Sequence, residues 1–270
     1  MNLTREQMLA EMGISPIWKL RNPAPAPVQD APMEPETVEL PPAAVEVPEL
    51  PGFVPAPEPE AGFAVEPAGD PEPGSRTEVI ARLDWGGLKE STASCRACGL
   101  CEQRKQAVLG VGDVKADWLF IGEGPGADED AQGEPFVGQA GKLLDNMLAA
   151  IDLKRGDNVY IANAVKCRPP GNRTPSAEEM AACRPYLERQ IQLIKPRLIV
   201  LLGRAAVNTI LKNEQSLAAL RGKRFDYQGI PVIVTYHPAY LLRNLPEKAK
   251  VWEDLVFARR LMRDMPRETG

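Results

Sequence analysis

Residues 117–123 read DWLFIGE, an unbroken apolar run from Trp118 to Ile121 that ends in Gly122 and Glu123. A short apolar run closed by glycine is the pattern of a strand buried on both faces. Three later stretches repeat it: NVYIANAVKC (158–167), RLIVLLG (197–203) and PVIVTYHP (231–238). Helical patterns separate them, at about 139–151, 175–194 and 204–213, and a last one runs over about 246–264. The helix at 175 is expected to open on Thr174 as N-cap, with Pro175 at its first position. Strands and helices in alternation make each connection a crossover, so the sheet must be largely parallel and covered on both faces. The prediction is a three-layer α/β/α domain around a central, mainly parallel four-stranded sheet. The stretch KRFDYQGIPVIVTY (223–236) adds a local hairpin turning at Gly229.

Sheets of this kind bind ligands beyond the carboxyl ends of their strands. Each conspicuous cluster falls there: GEGPGADED (122–130), NAVKCRPPGNR (163–173) and HPAYLLR (237–243).

The rest of the chain divides by composition. Residues 23–74 hold 15 of the 27 prolines and 11 Asp and Glu, with no Lys or Arg. Such a segment cannot bury enough apolar surface to fold and is expected to be disordered and extended. The net charge of −5 is made of about +1 from residues 1–22, −11 from 23–74 and +5 from 75–270. The mildly basic folded part is therefore compatible with a nucleic-acid ligand. The expected organisation is an N-terminal segment 1–22, an acidic linker 23–75 and a folded domain 76–270. Within the first, TREQMLAEM (4–12) reads as a short helix capped by Thr4, a candidate docking peptide for a protein partner. No apolar run nears the ~20 residues of a membrane span, and no secretory signal pattern opens the chain, so a cytoplasmic protein is expected.

In a reducing compartment the five cysteines are unsuited to structural disulfides, which leaves metal or thiol chemistry. CRACGLC (95–101) offers two registers, Cys95 with Cys98 or Cys98 with Cys101; Cys167 and Cys183 follow far along the chain. Four thiolates from distant segments suit either tetrahedral zinc or a [4Fe–4S] cluster. The loop after the first strand fits neither phosphate-loop pattern, and its carboxylates (Glu123, Asp128, Glu129, Asp130, Glu134) would repel a phosphate. It reads instead as a tight turn presenting Glu123 and nearby amides to a polar ligand, with Phe136 as an aromatic face. His237 is the chain's single histidine, and with no neighbouring cysteine it argues against a hydrolase triad.

GEGPGADEDAQGEPFVGQAGKLL (122–144), YIANAVKCRPPGNRTP (160–175) and HPAYLLR, together with the cysteine pairs, closely resemble the family 4 uracil-DNA glycosylases over about residues 85–262. The resemblance implies a uracil-DNA glycosylase-like fold and a structural [4Fe–4S] cluster on Cys95, Cys98, Cys167 and Cys183, with Cys101 spare. It implies hydrolysis of the bond between uracil and deoxyribose after base flipping, in single- or double-stranded DNA, by a monomer. It gives Glu123 and His237 catalytic roles and assigns uracil contacts to Glu123, Gly124, Glu129, Phe136, Asn163 and His237. Phe136 would stack the base, Asn163 would read its edge, and His237 would donate to the oxygen that gains charge. At Gly124 the best-known branch of the superfamily has a water-orienting aspartate, which leaves Glu123, or Glu129, for that work. Leu241, Leu242 or Arg243 would wedge into the gap left by the flipped nucleotide, and Arg168 and Arg173 would meet the backbone. Two rival readings are a non-turnover uracil-DNA-binding protein and a zinc-stabilised nucleic-acid-binding module.

Overall fold

A computed structural model describes residues 75–266. The helix at 4–12, the docking segment 1–22 and the acidic linker up to residue 74 lie outside the described residues.

The sheet has six strands in the order β1-β3-β2-β4-β6-β5, two more than expected. Its centre is the predicted parallel set: β2 (Trp118–Gly122), β3 (Val159–Asn163), β4 (Leu198–Leu202) and β6 (Ile230–Thr235). The additions are antiparallel edges. On one side lies β1 (Val111–Gly112), two residues paired with β3; on the other lies β5 (Arg224–Tyr227), the first arm of the expected hairpin. Tyr227 pairs with Ile230 across Gln228 (φ 54°) and Gly229 (φ 84°), a two-residue turn with positive φ at both positions, which suits the strand twist. Neither edge announces itself as a buried run: β1 is too short, and β5 is mostly solvent-facing.

Successive residues of the central strands point to opposite faces, and the core divides accordingly. Trp118, Phe120, Ile161, Val200 and Ile233 face α4 (Gln139–Ala149), α8 (Pro238–Arg243) and α9 (Lys248–Asp264). Leu119, Ile121, Ala162, Leu201 and Val234 face α5 (Ala177–Ile194), α6 (Arg204–Leu211) and α7 (Leu217–Leu220). The chain leaves β2 for β3 in one direction along the sheet, then returns past β2 to β4. Right-handed crossovers in opposite directions must use opposite faces, which is why α4 and α5 lie on different sides. That reversal opens a crevice at the strand ends.

Helix α5 begins two residues later than predicted. Ser176, not Thr174, is its cap, in a reciprocal box: Ser176 Oγ accepts from the Glu179 N–H (3.2 Å) and Glu179 Oε2 from the Ser176 N–H (2.8 Å). A third apolar cluster lies against the N-terminal half of α5. There α1 (Arg76–Ala81) and α2 (Trp85–Ser94) contribute Ile80 and Leu88, which pack with Leu100, Val165, Tyr186 and the cysteines. Between β2 and α4 lies one short helix, α3 (Ala127–Gln132). No helix among the described residues is long and apolar enough to cross a membrane.

Candidate functional site: a strand-end pocket beside a cysteine-lined gap

The carboxyl ends of β2, β3, β4 and β6 open into a cavity of about 730 Å³. Glu123, Gly124, Glu129, Phe136, Asn163, Arg173, His237 and Arg243 line it, so segments up to 120 residues apart meet as expected. Tyr236, Tyr240, Arg204 and the Ser216–Ala218 start of α7 also line it. Tyr240 falls within HPAYLLR and Tyr236 beside it; no motif pointed to Arg204 or the start of α7.

Asn163 ends β3, and at 2% exposure its Oδ1 has no hydrogen-bond partner. A buried acceptor left unpaired costs about 1–3 kcal/mol, so its presence in a cavity wall marks a place where a ligand donor belongs. The amide lies close over the end of β2: a Cβ on Gly122 would come within 2.5 Å of both Asn163 Oδ1 and the Phe136 ring. Glycine at 122 is what lets the amide and the aromatic ring sit side by side.

Phe136 holds a left-handed backbone (φ 56°), rare for an aromatic residue. Its conformation is clamped from outside, because the Arg155 guanidinium donates to the carbonyls of Pro135 (2.8 Å) and Phe136 (2.7 Å). Glu129 holds the other side. Its Oε1 accepts from the N–H groups of Val137 (2.9 Å) and Gly138 (3.0 Å), and its Oε2 from that of Gly126 (3.0 Å). The Glu129 carboxylate therefore reaches the pocket, but both oxygens already serve as staples between the two loops. The signal for this was the Gly126-x-x-Glu129 spacing at the start of α3, where Glu129 reaches back to the Gly126 N–H, the half of a capping box that a glycine N-cap allows.

His237 does not end a strand. It lies two residues past β6 and caps α8, where Nδ1 accepts from the Ala239 N–H at 3.2 Å and Pro238 takes the first helical position. An accepting Nδ1 on a neutral ring puts the proton on Nε2. Burial keeps the ring neutral by pulling its pKa down to about 4, aided by Arg243 and opposed by Glu129. The imidazole stacks against Phe136 with centroids 5.3 Å apart. Gly203, at φ 90°, clears the space: a Cβ there would lie 3.0 Å from the His237 Cβ. Burial raises the Glu123 carboxyl above the usual carboxylate range, and Thr174 partly counters it. So the residue expected to cap α5 stands instead at the pocket beside Glu123.

The expected DNA contacts separate. Leu241 is fully buried in the core under α8 and is no wedge; packing, not insertion, is its place. Leu242 is 42% exposed, and Arg243 is exposed at the pocket mouth. Arg173 forms a two-armed pair with Glu179 (2.8 and 2.6 Å), and Arg168 Nε donates to Asn172 Oδ1 (2.8 Å).

All five cysteines converge on a small gap between α2, α5 and the segment after β3. Cys95, Cys98, Cys167 and Cys183 also belong to the third apolar cluster; Cys101 lines the gap without joining that cluster. Cys167 does not close a strand, since β3 ends four residues earlier. Donors already aim at three sulfurs: Arg104 at Cys167 (2.8 Å), Arg76 at Cys95 (3.5 Å) and the Lys166 N–H at Cys183 (3.2 Å). Thr92, 1% exposed on the same wall, has a hydroxyl with no partner. Burial pushes the Cys183 thiol up to about 12, so only a bound metal would make it a thiolate at neutral pH. Among the described residues no three His, Cys, Asp or Glu side chains are drawn together tightly enough for one metal ion. Five sulfurs around the gap, three of them accepting hydrogen bonds, make a donor set of the kind a thiolate-bound cluster uses.

An α/β/α domain whose strand ends present an aromatic ring, an unpaired amide oxygen and a neutral histidine donor defines a binder of flat, polar heterocycles such as nucleobases. Comparison with known proteins narrows this. The family model for the Uracil DNA glycosylase superfamily matches residues 109–256. The chain is 45% identical over 175 residues to the type-4 uracil-DNA glycosylase of Sulfurisphaera tokodaii, covering 62% of this chain and 79% of that one. It is 42% identical over 183 residues to that of Pyrobaculum aerophilum, covering 64% and 92%. Against the Thermotoga maritima protein of the same name it is 44% identical over 172 residues, 62% and 89% of the two chains. The protein belongs to the uracil DNA glycosylase superfamily, in its type-4 branch.

Proposed function

We propose that the protein is a DNA repair glycosylase that hydrolyses the N-glycosidic bond of deoxyuridine in DNA, releasing uracil and leaving an abasic site. The observation that carries this reading is the unpartnered Asn163 Oδ1 in the same cavity wall as the Phe136 ring and His237. A base inside a duplex is out of reach, so the nucleotide must swing into the pocket, at a cost of a few kcal/mol. Uracil then lies against Phe136. Its N3–H meets Asn163 Oδ1 and an adjacent carbonyl meets the amide NH2, a pairing that cytosine, with an acceptor at N3, cannot make with the amide in this orientation. As the glycosidic bond breaks, negative charge gathers on a uracil oxygen, and His237 stabilises it by donating from Nε2, without transferring a proton. A ring that is already neutral loses nothing to deprotonation, which is what its lowered pKa provides. Glu123, hydrogen-bonded by Thr174 on this wall, orients the attacking water and faces the cationic sugar. Glu129 acts at one remove, by holding Phe136 and the backbone amides in place.

Cys95, Cys98, Cys167 and Cys183 hold a [4Fe–4S] cluster. Bound there it would cross-link the 95–98 turn to both ends of the 168–182 segment, and no step of base release passes through it. Leu242 and Arg243 fill the space left by the flipped nucleotide, and Arg168 and Arg173 lie near the DNA backbone. The test is to incubate the purified protein with an oligonucleotide containing one uracil and then cleave abasic sites with alkali. Strand breakage at the uracil position is expected; an intact strand at saturating protein would refute the reading.

A further inference from the structure

Lys166 is 1% exposed, and no motif reading assigned it a task. Its ammonium lies between two acceptors, the Asn163 carbonyl at 2.9 Å and Gln190 Oε1 at 2.5 Å. Gln190 is itself fully buried and donates onward to the Leu109 carbonyl (3.0 Å) and the Tyr160 hydroxyl (3.2 Å). Taking an ammonium out of water costs several kcal/mol, and an apolar side chain of similar volume would often fill such a position with no loss of stability. Fold stability alone is therefore a poor account of a lysine here.

Its partner suggests the account. Asn163 Oδ1 has no hydrogen bond within the protein, so no protein partner of that oxygen fixes its aim. The direction of the amide then depends on packing over Gly122 and on the orientation of the Asn163 backbone. Both groups of the peptide that follows Asn163 are anchored. The Ala164 N–H donates to the Gly122 carbonyl at 2.9 Å, and the Asn163 carbonyl accepts from Lys166. Beyond β3 the Val165 N–H still donates to the Glu123 carbonyl at 3.1 Å, and the Asn163 carbonyl is held by the ammonium.

We propose that Lys166 is a positioning residue for base recognition: held by Gln190, its ammonium fixes the Asn163 carbonyl and so aims the Asn163 amide at the uracil edge. This rests on the reading of the pocket as a uracil site. The Lys166 side chain touches no substrate and reaches the pocket through Asn163, while its backbone N–H serves the Cys183 sulfur. Misplacing a recognition group by about 1 Å can cost on the order of 10²-fold in rate.

A double-mutant cycle on the full chain tests this, with single-turnover uracil release measured for the wild type, Lys166→Met, Asn163→Ala and the double variant. Lys166→Met should slow release by roughly 10- to 100-fold when Asn163 is present, and by less than about threefold when it is alanine. Equal slowing in both backgrounds, or no slowing beside Asn163, would overturn the proposal. Gln190→Met provides a second reading that leaves the cysteine segment untouched: a smaller loss is expected, again confined to the Asn163 background. A loss of equal size in both backgrounds would count against the proposal. A wild-type protein that releases no uracil would instead refute the functional reading itself.

Discussion

The base pocket and the cysteine gap lie on either side of residues 163–167, yet they are completed by different means. The pocket is finished by backbone devices within the chain: the Gly122 and Gly203 clearances, the Arg155 and Glu129 clamps on Phe136, and the His237 cap. Its groups stand in usable protonation states as the chain folds. The gap is assembled from three distant segments and includes a thiol that burial holds near 12. On the proposed reading it becomes a site when a bound metal displaces that proton. Preorganisation by the chain and assembly by a cofactor should therefore fail separately.

The sharpest break between the two should come from the cysteines. Cys183→Ser is expected to abolish the visible absorbance and iron content of the purified protein, while Cys101→Ser leaves both unchanged. Iron retained in the first, or lost in the second, would reassign the ligand set. His237→Ala should do the reverse: iron content as in the wild type, and single-turnover uracil release slower by on the order of 10²–10³. DNA affinity should be nearly unchanged, and a parallel fall in affinity would make His237 a binding residue. Next come the adjacent leucines of α8. Leu241→Ala, in the core, should lower unfolding free energy by about 2–5 kcal/mol. Leu242→Ala should leave stability alone and slow excision from duplex more than from single-stranded DNA. An exchange of those two outcomes would place the wedge at Leu241 after all.

A pH dependence comes next. The His237 pKa falls from 6.5 to about 4 on folding, so between those values the unfolded chain binds the proton and the folded chain does not. Stability should accordingly decline as pH drops from 6.5 to 4 and level off below, by up to roughly 3 kcal/mol from this group. His237→Asn keeps an N-cap without a titrating group and should remove that part of the slope in denaturant melts at several pH values. An unchanged slope would show that the ring protonates freely in the folded state.

How much of this could be read in the sequence follows the same division. The central strands were legible because full burial on both faces leaves an unbroken apolar run. The edge β1 was not, being two residues long, one of them glycine. The pocket residues Glu123, Phe136, Asn163 and His237 were legible through motifs at strand ends. The contacts around them were not, since Arg155, Lys166 and Gln190 reach backbone carbonyls through long side chains, contacts that leave no periodicity. Leu241 and Leu242 look alike in sequence, and only the rotation of α8 separates core from surface. Thr174 preceded a proline in a convincing helix start, but the Ser176–Glu179 box satisfies two donors where Thr174 would satisfy one.

The central claim is that a fixed amide beside a neutral histidine selects uracil. Its most direct measurement is single-turnover base release from matched oligonucleotides carrying uracil or cytosine at one position, with wild-type protein and with Asn163→Ala. Alkali-labile breaks should form at uracil alone, and the substitution should slow them at least tenfold, the loss of about 1.4 kcal/mol of transition-state binding. Uracil release at the wild-type rate by Asn163→Ala, or breaks at cytosine as fast as at uracil, would contradict it.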